Sequence, residues 1–491
     1  MFDLFYSSKE SPDSLKNRGN ILLNEGRIPE AEQLYRRAAG LDPSFMPAHY
    51  NLGNALKMQG RFEEALAEYE TALKLAPRDY EVCMNTGATL LDLGRAADAL
   101  QAFSRANKLM PTAAEPLVNM GLAFERMGHA EKTPAGFDTA IEHYRKALSI
   151  KPDLAEAHNN LGGALQSQSR FEEAIESFQH ALSLKPDFSD AHYNLGNAHK
   201  DLSQFAEAEA SYRNALALDP EHVNKLHSLG RLLMEDGRPD EALACFQQVI
   251  NLDPKNGTAS HLIASITGID TEGASNQYVA ELFDGLASHF ESSLVERMNY
   301  EVPRKLVALI TDFAKLDTKK QDVLDLGCGT GLVGSAISPY ARQLVGVDLS
   351  AGMLAKAREK NLYQRLEKSE LLAMMKSEMD SSYDLIIAAD VFTYIGRLDA
   401  IMDEIKRLLR PGGILAFSVE SMEALSNEEA IKDYQLNQTG RYAHSSGYID
   451  RIALASGLNR LGLIPDNIRL EKGEPVQVWL ALLENTARKE L

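Results

Sequence analysis

Three glycines at alternate positions follow a short apolar run, and together they can hold a ligand close to the backbone. The run Val323–Leu326 is typical of a buried strand, and Gly327, Gly329 and Gly331 follow it. Glycine lacks the Cβ that blocks a ligand or strains a positive φ angle, so a small molecule can lie directly on the peptide units. The first amides of the next helix, from Leu332, face the same place. The spacing therefore predicts a nucleoside-like ligand at this turn.

Two carboxylates accompany the glycine turn. Asp325 lies in the first strand, and Asp348 ends a second strand, Val345–Val347, seventeen residues after Gly331. Asp348 suits a ribose diol, because hydrogen bonds to a charged acceptor contribute roughly 1.5–3 kcal/mol each. The dinucleotide fingerprint Gly-x-Gly-x-x-Gly would need its third glycine at Leu332. A pyrophosphate site is therefore the less favoured interpretation.

An acidic residue followed by Gly-x-Gly-x-Gly resembles the first motif of the class I S-adenosylmethionine-dependent methyltransferases. The second half also resembles a narrower group, predicted bacterial methyltransferases fused to tetratricopeptide repeats. That likeness lies in the Tyr-x-x-x-Leu-Phe-Asp stretch from Tyr278 and the Gly-Arg-Tyr-Ala-His stretch from Gly440. It implies S-adenosylmethionine as the cofactor and a Rossmann-like α/β domain with a seven-stranded, mostly parallel sheet.

The resemblance also implies roles for individual residues. The cofactor-binding residues it implies are Asp325, Gly327, Cys328, Gly329, Gly331, Asp348, Leu349, Met353, Glu370, Asp390 and Tyr278. Asp325 would face the methionine ammonium, Asp348 the ribose hydroxyls and Glu370 the adenine amine. Lys368-Ser369-Glu370 departs from the commoner small-residue-then-Asp pattern of the family. Tyr278 belongs to a lead-in helix that would form a lid, and core packing is the alternative for this aromatic residue.

A polar segment, Gly440–Ser445, carries groups suited to proton transfer and anion binding. Methyl transfer needs an acceptor lone pair, and removing a proton from oxygen or nitrogen helps to provide it. His444 has an unperturbed pKa suited to a base, and Arg441 can hold a carboxylate or phosphate. With Tyr394, in the loop after Asp390, they are the candidate catalytic residues. For His444 and Arg441 the alternative is a hydrogen-bonded structural loop.

The first half of the chain repeats with a period of 34 residues, interrupted once by a spacing of 41. The period is marked by Pro43, Pro77, Pro111, Pro152, Pro186, Pro220 and Pro254. Glycines and alanines recur in the same register, which lets two antiparallel helices approach closely. The pattern is similar to seven tetratricopeptide repeats over about residues 12–256, with Thr258–Thr267 as a capping helix. The extra residues around Glu131–Asp138 predict a longer turn in the fourth repeat.

One column of the array is occupied by asparagine in six successive repeats. Its members are Asn17, Asn51, Asn85, Asn119, Asn160 and Asn194, and Ser228 follows in the seventh. Stacked repeats would align these amides on the concave side, where each can donate to and accept from an extended peptide backbone. The column is similar to the asparagine ladder of O-GlcNAc transferases. It predicts a protein or peptide partner, with local hydrogen bonding as the alternative.

The composition argues against a nucleic-acid-binding, a membrane-spanning and a metal-binding protein. The 491 residues are 44% hydrophobic and carry a net charge of -19, which argues against nucleic acid as the acceptor. There is no stretch of 18 apolar residues and no signal-peptide pattern after Met1, so we expect a cytoplasmic protein that does not span a membrane. Cys83, Cys245 and Cys328 lack metal-ligand spacing, so no metal site is expected.

The predicted domain order is a tail (1–11), a repeat solenoid (12–268), a linker (269–276) and a methyltransferase domain (277–491). We expect the repeats to recruit the methyl acceptor or a complex that contains it. The alternatives are a small-molecule methyltransferase whose repeats serve only assembly, and a repeat scaffold with a vestigial cofactor domain. The retained Asp325, glycine turn, Asp348 and Asp390 argue against the scaffold.

Overall fold

The computed structural model describes residues 10–131, 134–287, 290–291, 300–314, 316–422, 432–471 and 474–486. The chain divides into two compact units, residues 1–232 and 233–491. The predicted linker lies further along, at 269–276. The compact unit that holds the sheet therefore also includes the second helix of the seventh repeat and the capping helix.

The first part of the chain consists of paired helices, as the 34-residue period predicted. They are α1 (Pro12–Asn24), α2 (Ile28–Leu41), α3 (Met46–Met58), α4 (Phe62–Leu75), α5 (Tyr80–Asp92), α6 (Ala96–Leu109), α7 (Glu115–Glu131), α8 (Pro134–Ile150), α9 (Ala155–Ser167), α10 (Phe171–Leu184), α11 (Ser189–Asp201), α12 (Phe205–Leu218), α13 (Val223–Glu235) and α14 (Pro239–Leu252). The predicted helical repeat solenoid is thereby confirmed.

Within each of six pairs, a glycine of the first helix lies against an aromatic ring of the second. An ideal Cβ on the glycine would come 2.5–2.6 Å from that ring. The pairs are Gly19–Tyr35, Gly53–Tyr69, Gly87–Phe103, Gly121–Tyr144, Gly162–Phe178 and Gly196–Tyr212. The repeating glycine is therefore a packing requirement of each helix pair.

Gly162→Ala and Gly163→Ala should change stability in opposite directions. Both glycines lie inside α9, but a Cβ on Gly162 would lie 2.6 Å from the Phe178 ring, whereas one on Gly163 would meet nothing within 4 Å. Overpacking costs about 1–3 kcal/mol, and alanine in an open helical position gains about 0.5–1 kcal/mol over glycine. Chemical unfolding followed by circular dichroism measures both, and equal effects would refute the packing argument.

The fourth repeat accommodates its extra residues by lengthening both helices. α7 and α8 have 17 residues each, against 13 and 14 in the neighbouring pair α9 and α10. The predicted longer turn is wrong in this respect. The extended ends can cross closely because two glycines meet there: a Cβ on Gly136 would lie 2.6 Å from the Cα of Gly128.

The remaining helices and strands form the second unit. Its helices after α14 are α15 (Gly257–Thr267), α16 (Asn276–Leu286), α17 (Val302–Ala314), α18 (Leu332–Ile337), α19 (Ala351–Glu359), α20 (Leu371–Ser377), α21 (Asp399–Leu408) and α22 (Ser446–Ala455). Its strands are β1 (Gln321–Leu326), β2 (Ala341–Asp348), β3 (Arg365–Lys368), β4 (Tyr383–Ala388), β5 (Leu409–Ser421), β6 (Tyr434–Leu436), β7 (Tyr442–His444), β8 (Asn459–Glu471) and β9 (Glu474–Glu484).

One sheet contains these strands, and its parallel part has the order β3-β2-β1-β4-β5. β9 continues it antiparallel to β5, and β8 pairs with β9. These seven strands confirm the predicted mostly parallel sheet. Hydrophobic clusters cover both of its faces, and β1 is buried from Asp322 to Leu326.

Two short strands, β6 and β7, are additions to the predicted sheet. Glu420 of β5 pairs with Val478 of β9 and also with Ala443 of β7. Since a strand has two edges, β7 occupies the edge that β4 leaves after the pair Ala388–Phe417. This pairing brings the Gly440–Ser445 segment beside the loop that follows β4. Among the described residues, no helix has the length and apolar character needed to cross a bilayer.

Candidate functional site

The carboxyl ends of β1, β2 and β4 are neighbours in the sheet, and the predicted cofactor residues lie at these ends. Asp325 is completely buried in β1. Its Oδ2 accepts a hydrogen bond of 2.6 Å from the Tyr363 hydroxyl, whereas Oδ1 has no partner among the described residues. Burial raises the pKa of Asp325 to about 7, and the Tyr363 hydrogen bond opposes this rise.

The glycine turn has positive φ angles at all three predicted glycines: 61° at Gly327, 53° at Gly329 and 86° at Gly331. Their surroundings differ. A Cβ on Gly327 would lie 2.5 Å from Val391, and one on Gly331 would lie 3.1 Å from Tyr363. A Cβ on Gly329 would meet no atom of the described residues within 4 Å. Within that part of the chain, Gly329 is the one of the three that faces open space, where a ligand can approach the backbone.

Asp348, at the end of β2, is held by backbone amides. Its Oδ2 accepts from the Gly329 amide at 2.9 Å, and its Oδ1 accepts from the Ser350 amide at 2.8 Å. Burial raises the pKa of Asp348, and these two hydrogen bonds oppose the rise. The carboxylate thus ties the turn after β1 to the turn after β2. Leu349 follows it half-buried, and Met353 is fully buried in α19.

These features fit the cofactor that the sequence resemblance implies. The open space at Gly329 admits a ligand against the backbone, and Asp325 Oδ1 is a buried acceptor without a donor among the described residues. Cys328 belongs to the turn through its backbone, because its amide donates to the Val347 carbonyl at 3.0 Å. Its thiol is buried, and this burial raises the pKa of the thiol.

Glu370 lies where the sequence placed the adenine contact, but it caps a helix there. Its carboxylate oxygens accept from the amides of Leu372 at 3.0 Å and Ala373 at 2.8 Å, at the start of α20. A ligand amine would have to share oxygens that already stabilise the helix N-terminus. The adenine contact of Glu370 stays a prediction.

Asp390, after β4, has an unusual backbone conformation. Its φ is 56°, a left-handed value that costs a non-glycine residue about 1–2 kcal/mol. The buried Ser418 hydroxyl compensates, since it accepts from the Asp390 amide at 2.8 Å and donates to Asp390 Oδ1 at 2.9 Å. Strained backbone of this kind concentrates at functional sites. The loop then turns through the 3-10 helix Phe392–Tyr394.

Two residues of the lead-in helix α16 contact this region. Asp284 Oδ1 accepts from the Ser350 hydroxyl at 2.5 Å and from the Gly352 amide at 3.0 Å, next to the ribose candidate Asp348. Phe283 meets Tyr394 edge to face, with ring centroids 5.4 Å apart. Tyr278 is buried against His261, at a centroid distance of 4.4 Å. Phe283 and Asp284 therefore lie nearer the predicted lid position than Tyr278, whose cofactor contact stays a prediction.

His444 is the last residue of β7 and has no exposed surface. Its Nε2 lies 3.0 Å from the carbonyl oxygens of both Ile395 and Gly396, so this nitrogen carries the proton and donates. Nδ1 has no partner in the described part of the chain. Burial lowers the pKa of His444 to about 4. The histidine fixes the loop after β4, and a role as base stays a prediction that depends on Nδ1 alone.

Arg441 is paired with an acid from the neighbouring strand. Its Nε donates to Glu420 Oε1 at 2.5 Å, and both side chains are largely buried. An acceptor carboxylate would compete with Glu420 for this guanidinium. Anion binding by Arg441 therefore stays a prediction, and the observed contact ties the Gly440–Ser445 segment to the end of β5.

The segment 268–275, here called the strap, binds the loop after β4 from another direction. The Glu272 carbonyl accepts from the amides of Gly396 at 3.0 Å and Arg397 at 2.8 Å. The Ala274 amide donates to the Tyr394 carbonyl at 2.9 Å, and Gly273 forms a β-bridge with Ile395. The predicted linker is thus an ordered part of the site.

The strap and α15 also bind the Gly440–Ser445 segment and the strand before it. His261 Nε2 lies 2.9 Å from the Gly440 carbonyl, and Asp270 Oδ1 accepts from the Leu436 amide at 2.9 Å. Thr271 bonds the Tyr442 hydroxyl. The loop after β4 is therefore held by His444 and by the strap, and the capping helix takes part in the same packing.

Several residues of the site were not predicted from the sequence. Tyr363, Ser418 and His261 belong to no motif, and each acts through a contact with a residue far away in the chain. Asp284 ends the Tyr-x-x-x-Leu-Phe-Asp stretch, but the sequence assigned it no role, and its contact with Ser350 is seen only in the structure. Glu420, the partner of Arg441, was not predicted either.

The asparagine column lies in the first unit, and part of it links neighbouring repeats. Asn51 donates to Asn20 Oδ1 at 3.0 Å, and Asn85 donates to Asn54 Oδ1 at 3.1 Å. Asn194 donates to Asn159 at 3.0 Å. These three amides therefore link neighbouring repeats, and peptide binding by them stays a prediction.

Other members of the column behave differently. Asn17 donates to Asp13 at 3.2 Å within its own helix. Asn119 and Asn160 are half-buried, and their amides bond no residue that the structure describes. Peptide binding along the column stays a prediction. Asn119 and Asn160 are its best candidates, because their amides are available to a peptide backbone.

Comparison with known families divides the chain in the same way. A family model described as "Methyltransferase domain" matches residues 324–415. Models described as "TPR repeat" and "Tetratricopeptide repeat" match 19–60, 137–169, 164–203, 47–79, 223–256 and 189–222. The methyltransferase match begins in β1 and ends in β5, so it contains Asp325, the glycine turn, Asp348 and Asp390.

The curated relatives match the second half. A malonyl-[acyl-carrier protein] O-methyltransferase of Acetivibrio thermocellus is 30% identical over 138 residues, which are 27% of this chain and 48% of that protein. A probable S-adenosylmethionine-dependent methyltransferase of Saccharomyces cerevisiae is 30% identical over 140 residues, 27% of this chain and 46% of that protein. The chain thus spans about half the length of these relatives.

Among solved structures, a tetratricopeptide repeat protein from Parabacteroides merdae is similar over 52% of this chain and 98% of its own. The identity is 17% and the TM-score is 0.43. So low a score supports no conclusion about function.

Proposed function

The chain carries tetratricopeptide repeats followed by a methyltransferase domain, and we propose that it transfers a methyl group from S-adenosylmethionine to an acceptor recruited through the repeats. The observation that carries this proposal is the arrangement at the ends of β1 and β2. There Asp325 offers a buried acceptor, Gly329 faces open space and Asp348 is held in place by two amides.

The residues of this site would divide the work of cofactor binding. When bound, S-adenosylmethionine supplies an electrophilic methyl group on a positively charged sulfur. Asp325 accepts from the ammonium group, and Asp348 accepts from the ribose hydroxyls. The amide bonds from Gly329 and Ser350 fix the Asp348 carboxylate before any ligand arrives, which lowers the entropy cost of binding.

The acceptor would enter beside the loop from Asp390 to Gly396. Ser418 fixes the start of this loop, and His444 and the strap fix its end. Such fixing supports methyl transfer because the acceptor atom must be held in line with the methyl group, and small misplacements are costly in rate. Tyr394, packed on Phe283, lies between these fixed points and remains our candidate for contact with the acceptor.

We favour an acceptor that is a protein or is carried by one. The repeats support a protein partner, and the relative from Acetivibrio thermocellus acts, by its name, on a malonyl group attached to a carrier protein. An oxygen acceptor is consistent with that name. A small free acceptor, with repeats used for assembly only, is the alternative.

The deciding experiment has two stages. Isothermal titration calorimetry of the full-length chain should detect binding of S-adenosylmethionine, and absence of binding would refute the proposal. Incubation with labelled S-adenosylmethionine and a cell lysate should then place the label in protein. Label confined to small molecules would favour the alternative.

Recruitment by the repeats predicts that Asn119→Ala combined with Asn160→Ala lowers labelling of a protein acceptor at least fivefold. Each lost amide bond contributes about 0.5–1.5 kcal/mol. Stability should hardly change, because these amides bond none of the described residues. Asn51→Ala with Asn85→Ala is the comparison, and it should lower the unfolding free energy because it removes two links between repeats. Undiminished labelling in the first variant would contradict recruitment along the column.

A further inference from the structure

Tyr363 lies between α19 and β3, and its ring fills a space bounded by three glycines. A Cβ on Gly331 would come 3.1 Å from the ring, one on Gly334 would come 2.6 Å from Cζ, and one on Gly346 would come 2.8 Å from Cε1. Any side chain at these positions would displace the ring. The backbone of the turn, α18 and β2 is thus shaped around Tyr363, and this shape fixes where its hydroxyl lies.

The hydroxyl of Tyr363 has one specific partner. It donates to Asp325 Oδ2 at 2.6 Å, a short bond of the kind that charged acceptors form. The other oxygen of the same carboxylate, Oδ1, is buried and has no partner within the described ranges. The Asp325 carboxylate therefore has one oxygen, Oδ2, that accepts from Tyr363, and one oxygen, Oδ1, that can accept from a ligand.

The hydrogen bond from Tyr363 affects whether the Asp325 carboxyl is ionised, because this carboxyl is buried. Burial raises the pKa of Asp325 to about 7, the Tyr363 hydrogen bond lowers it, and the nearby Asp348 charge raises it. The buried Cys328 thiol and the Tyr363 phenol are the other titratable groups beside it, and burial raises the pKa of both. Tyr363 consequently stays a donor across the physiological range, and it is the neighbour that favours the ionised carboxylate.

We propose that Tyr363 is a positioning residue for the cofactor: its hydroxyl occupies Oδ2 of Asp325 and leaves Oδ1 as an ionised acceptor for the ammonium group of S-adenosylmethionine. This inference rests on the proposed function. It concerns only the amino acid part of the ligand. The nucleoside part depends on Asp348 and the open face of Gly329.

Tyr363→Phe in the full-length chain tests the proposal. The variant keeps the ring between the glycines and removes only the hydroxyl. At pH 7 the Kd of S-adenosylmethionine and of S-adenosylhomocysteine should rise about tenfold. The Kd of 5′-methylthioadenosine, which lacks the amino acid part, should change less than twofold. Titration calorimetry measures all three, with methylthioadenosine followed by displacement.

The pH dependence provides a second readout. A hydrogen bond that favours ionisation is lost in the variant, so its Asp325 should titrate at higher pH than in the natural chain. The ratio of the variant's Kd to the natural Kd should therefore fall as pH rises from 6 to 8. Comparing the two proteins at each pH cancels the titration of the ligand itself.

Tyr340→Phe is the matched control. The Tyr340 hydroxyl makes no hydrogen bond with the residues that the structure describes, so its removal should leave all three affinities unchanged. Equal weakening of all three ligands by Tyr363→Phe would overturn the positioning role and indicate that the phenol only shapes the turn. Unchanged affinities would overturn it as well. Failure of the natural chain to bind S-adenosylmethionine would instead overturn the proposed function.

Discussion

Asp348→Ala should reduce the affinity for S-adenosylmethionine more than a hundredfold. Two ribose hydroxyl bonds to a charged acceptor contribute roughly 1.5–3 kcal/mol each, or about 3–6 kcal/mol together. A factor of ten in Kd corresponds to about 1.4 kcal/mol, so the loss spans at least two such factors. Calorimetry with S-adenosylmethionine and 5′-methylthioadenosine measures the effect, and both ligands should weaken because both contain the ribose.

The fold should survive this change. Burial raises the pKa of Asp348, so its charge itself does not stabilise the fold, and the variant should lose only the two amide hydrogen bonds, about 1–3 kcal/mol of unfolding free energy. Thermal unfolding separates loss of binding from loss of structure. Asp317→Ala provides the control, because Asp317 is exposed and its one ion pair among the described residues is with Lys320, three residues away. An Asp348→Ala variant that binds normally would contradict the ribose role.

The contrast between Asp348 and Tyr363 in these tests separates the two ends of the ligand. Asp348 should affect every ligand that carries the ribose, whereas Tyr363 should affect only those with an ammonium group. The structural basis is that Asp348 accepts hydrogen bonds from the turns after β1 and β2, whereas Tyr363 donates a hydrogen bond to Asp325 in β1. One pair of variants therefore maps both halves of the site.

The repeat array could be predicted from the sequence because the residues that recur at its period, such as the glycines of the first helices, are required by packing. In six of the pairs the glycine of the first helix has an aromatic ring within 2.6 Å of its ideal Cβ, so no larger residue fits there without displacing the ring. The mostly parallel sheet could also be predicted, since strands that alternate with helices favour parallel pairing. Both predictions succeed because each repeat, and each strand followed by a helix, must meet the same packing requirement.

The glycine turn shows where this reasoning ends. Its spacing correctly indicated a special backbone, and all three φ angles are positive. The spacing did not indicate what each glycine faces. Gly327 and Gly331 lie against Val391 and Tyr363, whereas Gly329 faces open space within the described part of the chain. The glycine spacing indicates where the backbone needs a positive φ angle. It does not indicate which side chains lie against each glycine, because those side chains belong to elements that are distant in the chain.

The strap shows a second limit. Residues 268–275 are polar and contain glycine, which is typical of a flexible linker. Their contacts with the loop after β4 use mainly backbone amides and carbonyls, as at Glu272 and Ala274. Backbone contacts of this kind leave no signature in residue type. A truncation at residue 268, which seemed to divide repeats from enzyme, would therefore remove His261 and its contact with Gly440.

His444→Ala should lower methyl transfer at least tenfold, whereas His444→Gln should retain most of it. Alanine leaves the carbonyls of Ile395 and Gly396 without their donor and opens a cavity in the interior, which together cost about 2–4 kcal/mol. Glutamine can place an amide N–H near the position of Nε2, and so keep the loop fixed. Transfer of label from S-adenosylmethionine to the acceptor is the measurement, with calorimetry to verify that the cofactor still binds.

The glutamine variant separates a positioning histidine from a base, because it lacks the Nδ1 lone pair on which a base would depend. With a pKa of about 4, His444 is neutral throughout pH 6–8, and it is a weak proton acceptor there. A positioning role therefore predicts that the natural chain and His444→Gln share one pH–rate profile between pH 6 and 8. Inactivity of His444→Gln with normal cofactor binding and normal thermal stability would instead establish Nδ1 as the base.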